Sequence, residues 1–189
     1  MRGRRRFAAV AALVLAALGL RAGPPAAAQS LEYPVKATFL YKFGPFVEWP
    51  ASALDAAASP FYLCVVGDDP FGPALDQAVA GQHVGPHPVT VRRLARLERG
   101  GPVCHVLYAA GSKVQPPAQV LAAVQGQPVL TVTDEAHGDG SHGLVHFVLQ
   151  NSRVRFEIDA RAAAQSGLSI SSKLLSLAVN ARPATEGAP

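Results

Sequence analysis

Three short apolar runs constrain this chain of 189 residues more than any other feature: Phe61–Val66, Val103–Ala109 and Val129–Thr133. None alternates strictly between apolar and polar residues, and the first is bounded by Pro60 and Gly67. A run of this kind is the pattern of a strand covered on both faces, as in a parallel sheet packed between helices. The segments between the runs carry helical spacing. Pro73–Val79 predicts a helix with Leu75 and Val79 inward, and Gln115–Val124 one with Val120, Leu121 and Val124 on a single face. His87–Leu94 alternates and predicts a half-exposed strand. Asp68–Gly72, rich in Asp, Pro and Gly, predicts a turn.

Downstream the pattern changes. Gly143–Leu149 and Arg153–Ile158 flank Gln150, Asn151 and Ser152, and Val154, Phe156 and Ile158 alternate with Arg153, Arg155 and Glu157. This spacing predicts an antiparallel hairpin with one wet face. Ala160–Ser166 and Ile170–Asn180 predict two further helices, the second capped by Ser169 and turning Lys173 outward. The fold class expected is α/β: a single-domain sandwich, its mainly parallel sheet flanked by helices and ending in an antiparallel edge hairpin.

Ahead of the strands, Tyr33–Pro50 holds three Phe and the chain's only Trp. Val35, Phe39, Phe43, Phe46 and Val47 recur at spacings of three and four, which predicts a helix presenting them on one face. Pro34 suits its first turn, Gly44 and Pro45 interrupt it, and Pro50 stops it. Such a segment is an anchor for the core, or an aromatic surface for a partner helix or ligand.

Residues 1–28 read as a cleaved secretory signal peptide. Arg2, Arg4, Arg5 and Arg6 precede the apolar stretch Phe7–Leu20, and Ala26–Ala28 offers small residues for cleavage. The apolar stretch is shorter than the ~20 residues that span a bilayer. Removing the leader takes five of the 17 basic residues and no acid, so 12 remain against 13 acids and the formal charge falls from +4 to −1. Basic composition therefore gives no support to nucleic-acid binding. The roughly 160 residues left suffice for one domain, 29–180, followed by a small polar tail, 181–189, expected to be disordered.

Cys64 and Cys104, the only cysteines, fall in predicted buried strands of an exported chain. They are a disulfide candidate, with two inert buried thiols as the alternative. Pairing requires neighbouring strands and Cα atoms within about 7 Å. Gly138–Gly143 fits a G-x-G-x-x-G pattern, but a strand rather than a helix follows it, so the phosphate-binding mechanism lacks its helix N-terminus. His142 and His146, on one strand, would lie ~13 Å apart and could not share an ion. His137 and His142 could approach Asp134 or Asp139 in the glycine loop, yet solvated histidines are the simpler reading, and no metal or cofactor is expected. No Gly-x-Ser-x-Gly or Ser-x-x-Lys is present. Asp68 with Asp69, and Asp134 with Glu135, are adjacent residues whose side chains diverge on a strand, so no acid–base couple and no enzyme emerges.

Several segments together resemble the YfiR family: Val35–Phe43 through Phe46–Pro50, Leu63–Gly72, Cys104–Tyr108, Leu130–Asp134, Val145–Val148, Val154–Asp159 and, most specifically, Gly167–Ala178. The resemblance implies a periplasmic, non-enzymatic repressor that restrains an inner-membrane diguanylate cyclase by binding its periplasmic region, so controlling cyclic di-GMP and biofilm formation. It also implies an outer-membrane lipoprotein that can sequester the repressor, and redox control through cysteines. Cys64 and Cys104 match one cysteine pair of the family; the second pair carried by some members is absent. On this reading Phe39, Tyr41, Lys42, Phe46 and Trp49 form the partner surface, and a second copy of the chain is a further candidate partner. The alternative is a periplasmic small-molecule sensor. Its ligand would sit at the C-terminal ends of the strands, near Asp68, Asp69, Asp134 and His142, where open α/β sheets bind ligands.

Overall fold

A computed structural model describes residues 31–54, 59–137 and 139–183 of the chain. The expected leader and residues 184–189 lie outside the described residues. Helix α1 (Glu32–Phe43) runs into a 3₁₀ turn (Gly44–Phe46) and a two-residue strand β1 (Val47–Glu48). Then follow β2 (Phe61–Gly67), α2 (Pro73–Val79), β3 (His83–Val84), β4 (His87–Leu94), β5 (Val106–Gly111), α3 (Pro117–Ala123) and β6 (Leu130–Asp134). The chain closes with β7 (Val145–Gln150), β8 (Arg153–Asp159), α4 (Ala160–Gln165), β9 (Ser169–Ile170), α5 (Ser172–Leu175) and β10 (Asn180–Arg182). Eight strands form one sheet in the order β10-β8-β7-β6-β5-β2-β4-β3, while β1 and β9 make a separate antiparallel ribbon. The inner pairs from β4 to β7 are parallel, and β7–β8 is the expected hairpin. Asn151 and Ser152 take positive φ there, as a tight two-residue hairpin turn requires.

Side chains alternate across the sheet and divide its core in two. One face holds Phe61, Leu63, Val65, Val106, Tyr108, Leu130, Val132, Val145 and Phe147, joined by residues of α1, α2 and α4. The other holds Cys64, Val66, Leu107 and Ala109 beneath Val120 and Val124 at α3. Both sets are inaccessible to water or nearly so, which is why the three apolar runs show no alternation.

Four local expectations need correction. In α1 the buried positions are Lys36, Ala37, Leu40 and Phe43, whereas Val35 is 41% exposed and Phe39 only half-buried. The helix is rotated so that a lysine goes inside, for a reason given below. The run at Val103 starts late: Val103 is 57% exposed and the strand begins at Val106. Ile170–Asn180 is not one helix. Ser171, not Ser169, caps the single turn α5 by accepting from the Leu174 N–H, while Ser169 and Ile170 pair with Glu48 and Val47. Finally, Ala181 and Arg182 lie not in a loose tail but in β10, registered in parallel with Ile158 and Asp159.

Candidate functional site

Lys36 explains the rotation of α1. Its side chain is 1% exposed, and Nζ donates to Glu32 one turn earlier and to Asp134 Oδ2 at 2.5 Å. Asp134, at the C-terminal end of β6, also accepts from the Tyr108 hydroxyl at 3.0 Å and from the Ala136 N–H at 2.9 Å. Burial, with Asp134 and Glu32 nearby, pushes Tyr33 up to about 12 and Tyr108 higher still. Both phenols therefore stay protonated at any physiological pH. A carboxylate held by an ammonium, a phenol and a backbone amide is an internal strut tying α1 to the sheet. Asp134 is thus withdrawn from the expected ligand loop.

The other residues of that loop disperse. Asp68 is exposed, and its N–H donates to Gly111 O at 2.8 Å. Asp69 accepts from the Phe71 N–H and pairs with Arg93 at 2.7 Å, and Arg93 also holds Asp76. The crevice between β2 and β5, where strand order reverses, is closed by backbone. A Cβ on Gly67 would stand 2.1 Å from Gly111 O, and one on Gly111 2.4 Å from Pro117 Cδ.

His142 departs further from expectation. Its ring lies parallel to that of His146 with centroids 3.8 Å apart, not ~13 Å. The strand starts only at Val145, so residues 141–144 bend and bring His142 back over β7. Thr133 Oγ1 accepts from the Gly143 N–H at 2.9 Å and lies 2.8 Å from His146 Nδ1. Burial and the His142 neighbour hold the His146 pKa below its usual value. Among the described residues no three His, Cys, Asp or Glu side chains gather as a metal site.

The aromatic residues divide between core and surface. Phe39 packs on Phe43, Phe147 and Phe156, with centroids 5.5 to 6.2 Å away. Tyr41 is half-buried and Lys42 exposed. Phe46 is half-buried with Lys173 Nζ 5.7 Å from its ring centre, next to the β1–β9 ribbon. Trp49 stands edge-on to Phe61 at 5.2 Å, and its indole Nε1 is the one buried side-chain polar atom without a partner among the described residues. Phe61 in turn stacks on His105 at 4.8 Å. That imidazole is pinned, Nδ1 accepting from the Tyr62 N–H and Nε2 donating to Ala53 O, each at 2.8 Å. Beside it, Cys104 is bonded to Cys64, with Cα atoms 5.8 Å apart. The candidate bridge is a bridge, and it sits one residue from the aromatic stack.

Sequence reasoning missed the burial of Lys36 and a polar row across the sheet. Register places Thr133 opposite His146, His146 opposite Glu157, and Glu157 opposite Asn180. The alternation around Val145–Phe147 and Phe156–Ile158 signalled that His146 and Glu157 both point away from the aromatic core. Their alignment needed the register.

A family model described as YfiR/HmsC-like matches residues 33–179, well over half of the chain. No curated protein matches it.

Proposed function

The chain belongs to the YfiR/HmsC-like family, and on that premise we propose that it is a periplasmic repressor of an inner-membrane diguanylate cyclase. Membership implies a periplasmic, regulatory rather than catalytic protein connected with such a cyclase. Repression of the enzyme, through its periplasmic region, is the step proposed beyond that. The family match carries this reading because it runs from the first turn of α1 to Val179 and so takes in every element from β1 to α5. Export by the leader at 1–28 belongs to the same reading, and a disulfide in the folded domain supports an oxidising compartment.

The partner surface is assigned to the end of α1 and the β1–β9 ribbon: Lys42, Phe46 and Trp49, extended by Lys173. Tyr41 and Phe39, half-buried on the same helix, complete it. Exposed lysines beside half-buried aromatic rings suit a partner with an acidic rim and an apolar centre. The disulfide is the proposed point of redox control. Breaking it would free Cys104 beside His105, loosen the His105–Phe61–Trp49 stack, and so soften the partner surface. An outer-membrane lipoprotein or a second copy of the chain would compete for that same surface.

The test is intracellular cyclic di-GMP in a strain lacking the gene, complemented either by the native chain or by the Phe46→Ala, Lys173→Glu double variant. The expected result is a rise on deletion, reversed by the native gene and not by the folded variant. An unchanged level on deletion, under conditions where the protein is made, would overturn the repressor reading.

A further inference from the structure

A largely parallel sheet is normally covered by helices on both faces. Here α3 covers only part of one face, above Cys64, Val66, Leu107 and Ala109. Beyond α3, over β6, β7, β8 and β10, no described element covers that face, which holds a cleft of about 900 Å³, within the range of small-molecule sites. The C-terminal end of α3 forms one wall, with Val124 and Gln127, and α4 the other, with Ala162 and Gln165. The floor is polar where a sheet face of this kind is usually apolar: His146, Glu157 and Asn180 stand side by side in register.

The charges of the cleft do not cancel. Asp159 caps α4 through the Ala162 N–H and pairs with Arg182 at 3.4 Å. Asp139, at the rim, accepts from the Ser141 and Ala118 N–H groups. Glu157 is different: this half-buried carboxylate makes no hydrogen bond or ion pair with any described residue. His146 beside it is neutral, since burial and the His142 neighbour hold its pKa below the usual value, and its ring is covered by His142. The other side of the His142 ring is exposed to the cleft. Among the described residues the site therefore offers one uncompensated negative charge, an amide neighbour and a flat aromatic surface. A half-buried carboxylate of this kind is most favourably matched by a cation that donates hydrogen bonds.

We propose that this cleft is a binding site for a small organic cation, an amine with a flat unsaturated body, whose ammonium meets Glu157 while its ring lies on His142. The site is on the opposite face of the sheet from α1, and it does not depend on the repressor reading. An amine bound there would bridge β8 and the loop that carries His142.

Three probes of one shape and different charge test this: benzylamine, benzyl alcohol and benzoate, titrated into the isotope-labelled full chain and followed by amide NMR. Benzylamine at millimolar concentration is expected to shift the amides of Thr131, His146 and Glu157 saturably, and the alcohol and the acid are not. Glu157→Gln should weaken benzylamine roughly tenfold or more at unchanged Tm, the loss expected for a charge-assisted contact. Glu48→Gln, on the exposed ribbon, should leave it unchanged. Equal binding of all three probes, no shift at those amides, or full affinity in a folded Glu157→Gln variant would each overturn the proposal. The comparison among probes uses the native chain and decides the question even if that variant folds poorly.

Discussion

A lysine and an aspartate buried together stabilise a fold only while both remain, because each compensates the other's desolvation. Lys36 and Asp134 meet this condition at 1% and 2% exposure, with Glu32 and Tyr108 completing the set. Asp134→Asn leaves the ammonium with only Glu32, and should cost about 3 kcal/mol in urea unfolding. Adding Lys36→Met to it removes the stranded charge and should recover part of that loss, since the amide oxygen introduced by Asp134→Asn can still accept from Tyr108. A double variant no more stable than the single one would mean that the cluster works through packing alone. Burial raises both the Tyr33 and Tyr108 phenols, so both stay protonated beside the pair.

Among the elements, β2 and β5 approach one another where two glycines meet. Gly67 and Gly111 face each other at φ +100° and +70°, and a side chain on either would enter the other strand or α3. Gly126 has a similar φ of +76° but open space around it. Gly67→Ala should therefore cost roughly 3 kcal/mol or more, for strain plus a backbone collision. Gly126→Ala should cost about 1 kcal/mol, for the left-handed conformation alone. The difference, read from paired denaturation curves, isolates the close approach from the φ effect.

At the scale of the whole molecule the disulfide joins β2 to the segment leading into β5 and closes a loop of 40 residues. Loop closure of that length is worth up to about 4 kcal/mol through the unfolded chain. The Cys64→Ala, Cys104→Ala variant should lose stability up to that amount while keeping the native far-ultraviolet signal. Because both cysteines are buried, at 0% and 6% exposure, the folded native protein should resist added thiols that reduce it readily in denaturant. Fast reduction of the folded protein would show that the bridge is reached without unfolding. Such access would make it a more direct switch than its burial implies.

Strands β2, β5 and β6, helices α2 and α3, and the β7–β8 hairpin were legible in the sequence, because each depends on a local period and on Gly, Pro or Asn at its ends. Family membership was legible for a related reason: Gly167–Ala178 and the Phe46–Pro50 segment are short motifs that stand in order along the chain. What tertiary structure alone decided were the relations between distant segments. Lys36 turns inward because Asp134, 98 residues away, waits at the end of β6. Ile170 and Ser169 extend rather than coil because β1 offers them hydrogen bonds, which outweigh the helical spacing of the leucines that follow. His142 folds onto His146 because Thr133 captures the Gly143 N–H and bends the chain before the strand begins. Local periodicity reports which face of an element is apolar; only the register of one strand on the next brings Thr133, His146, Glu157 and Asn180 into a single row.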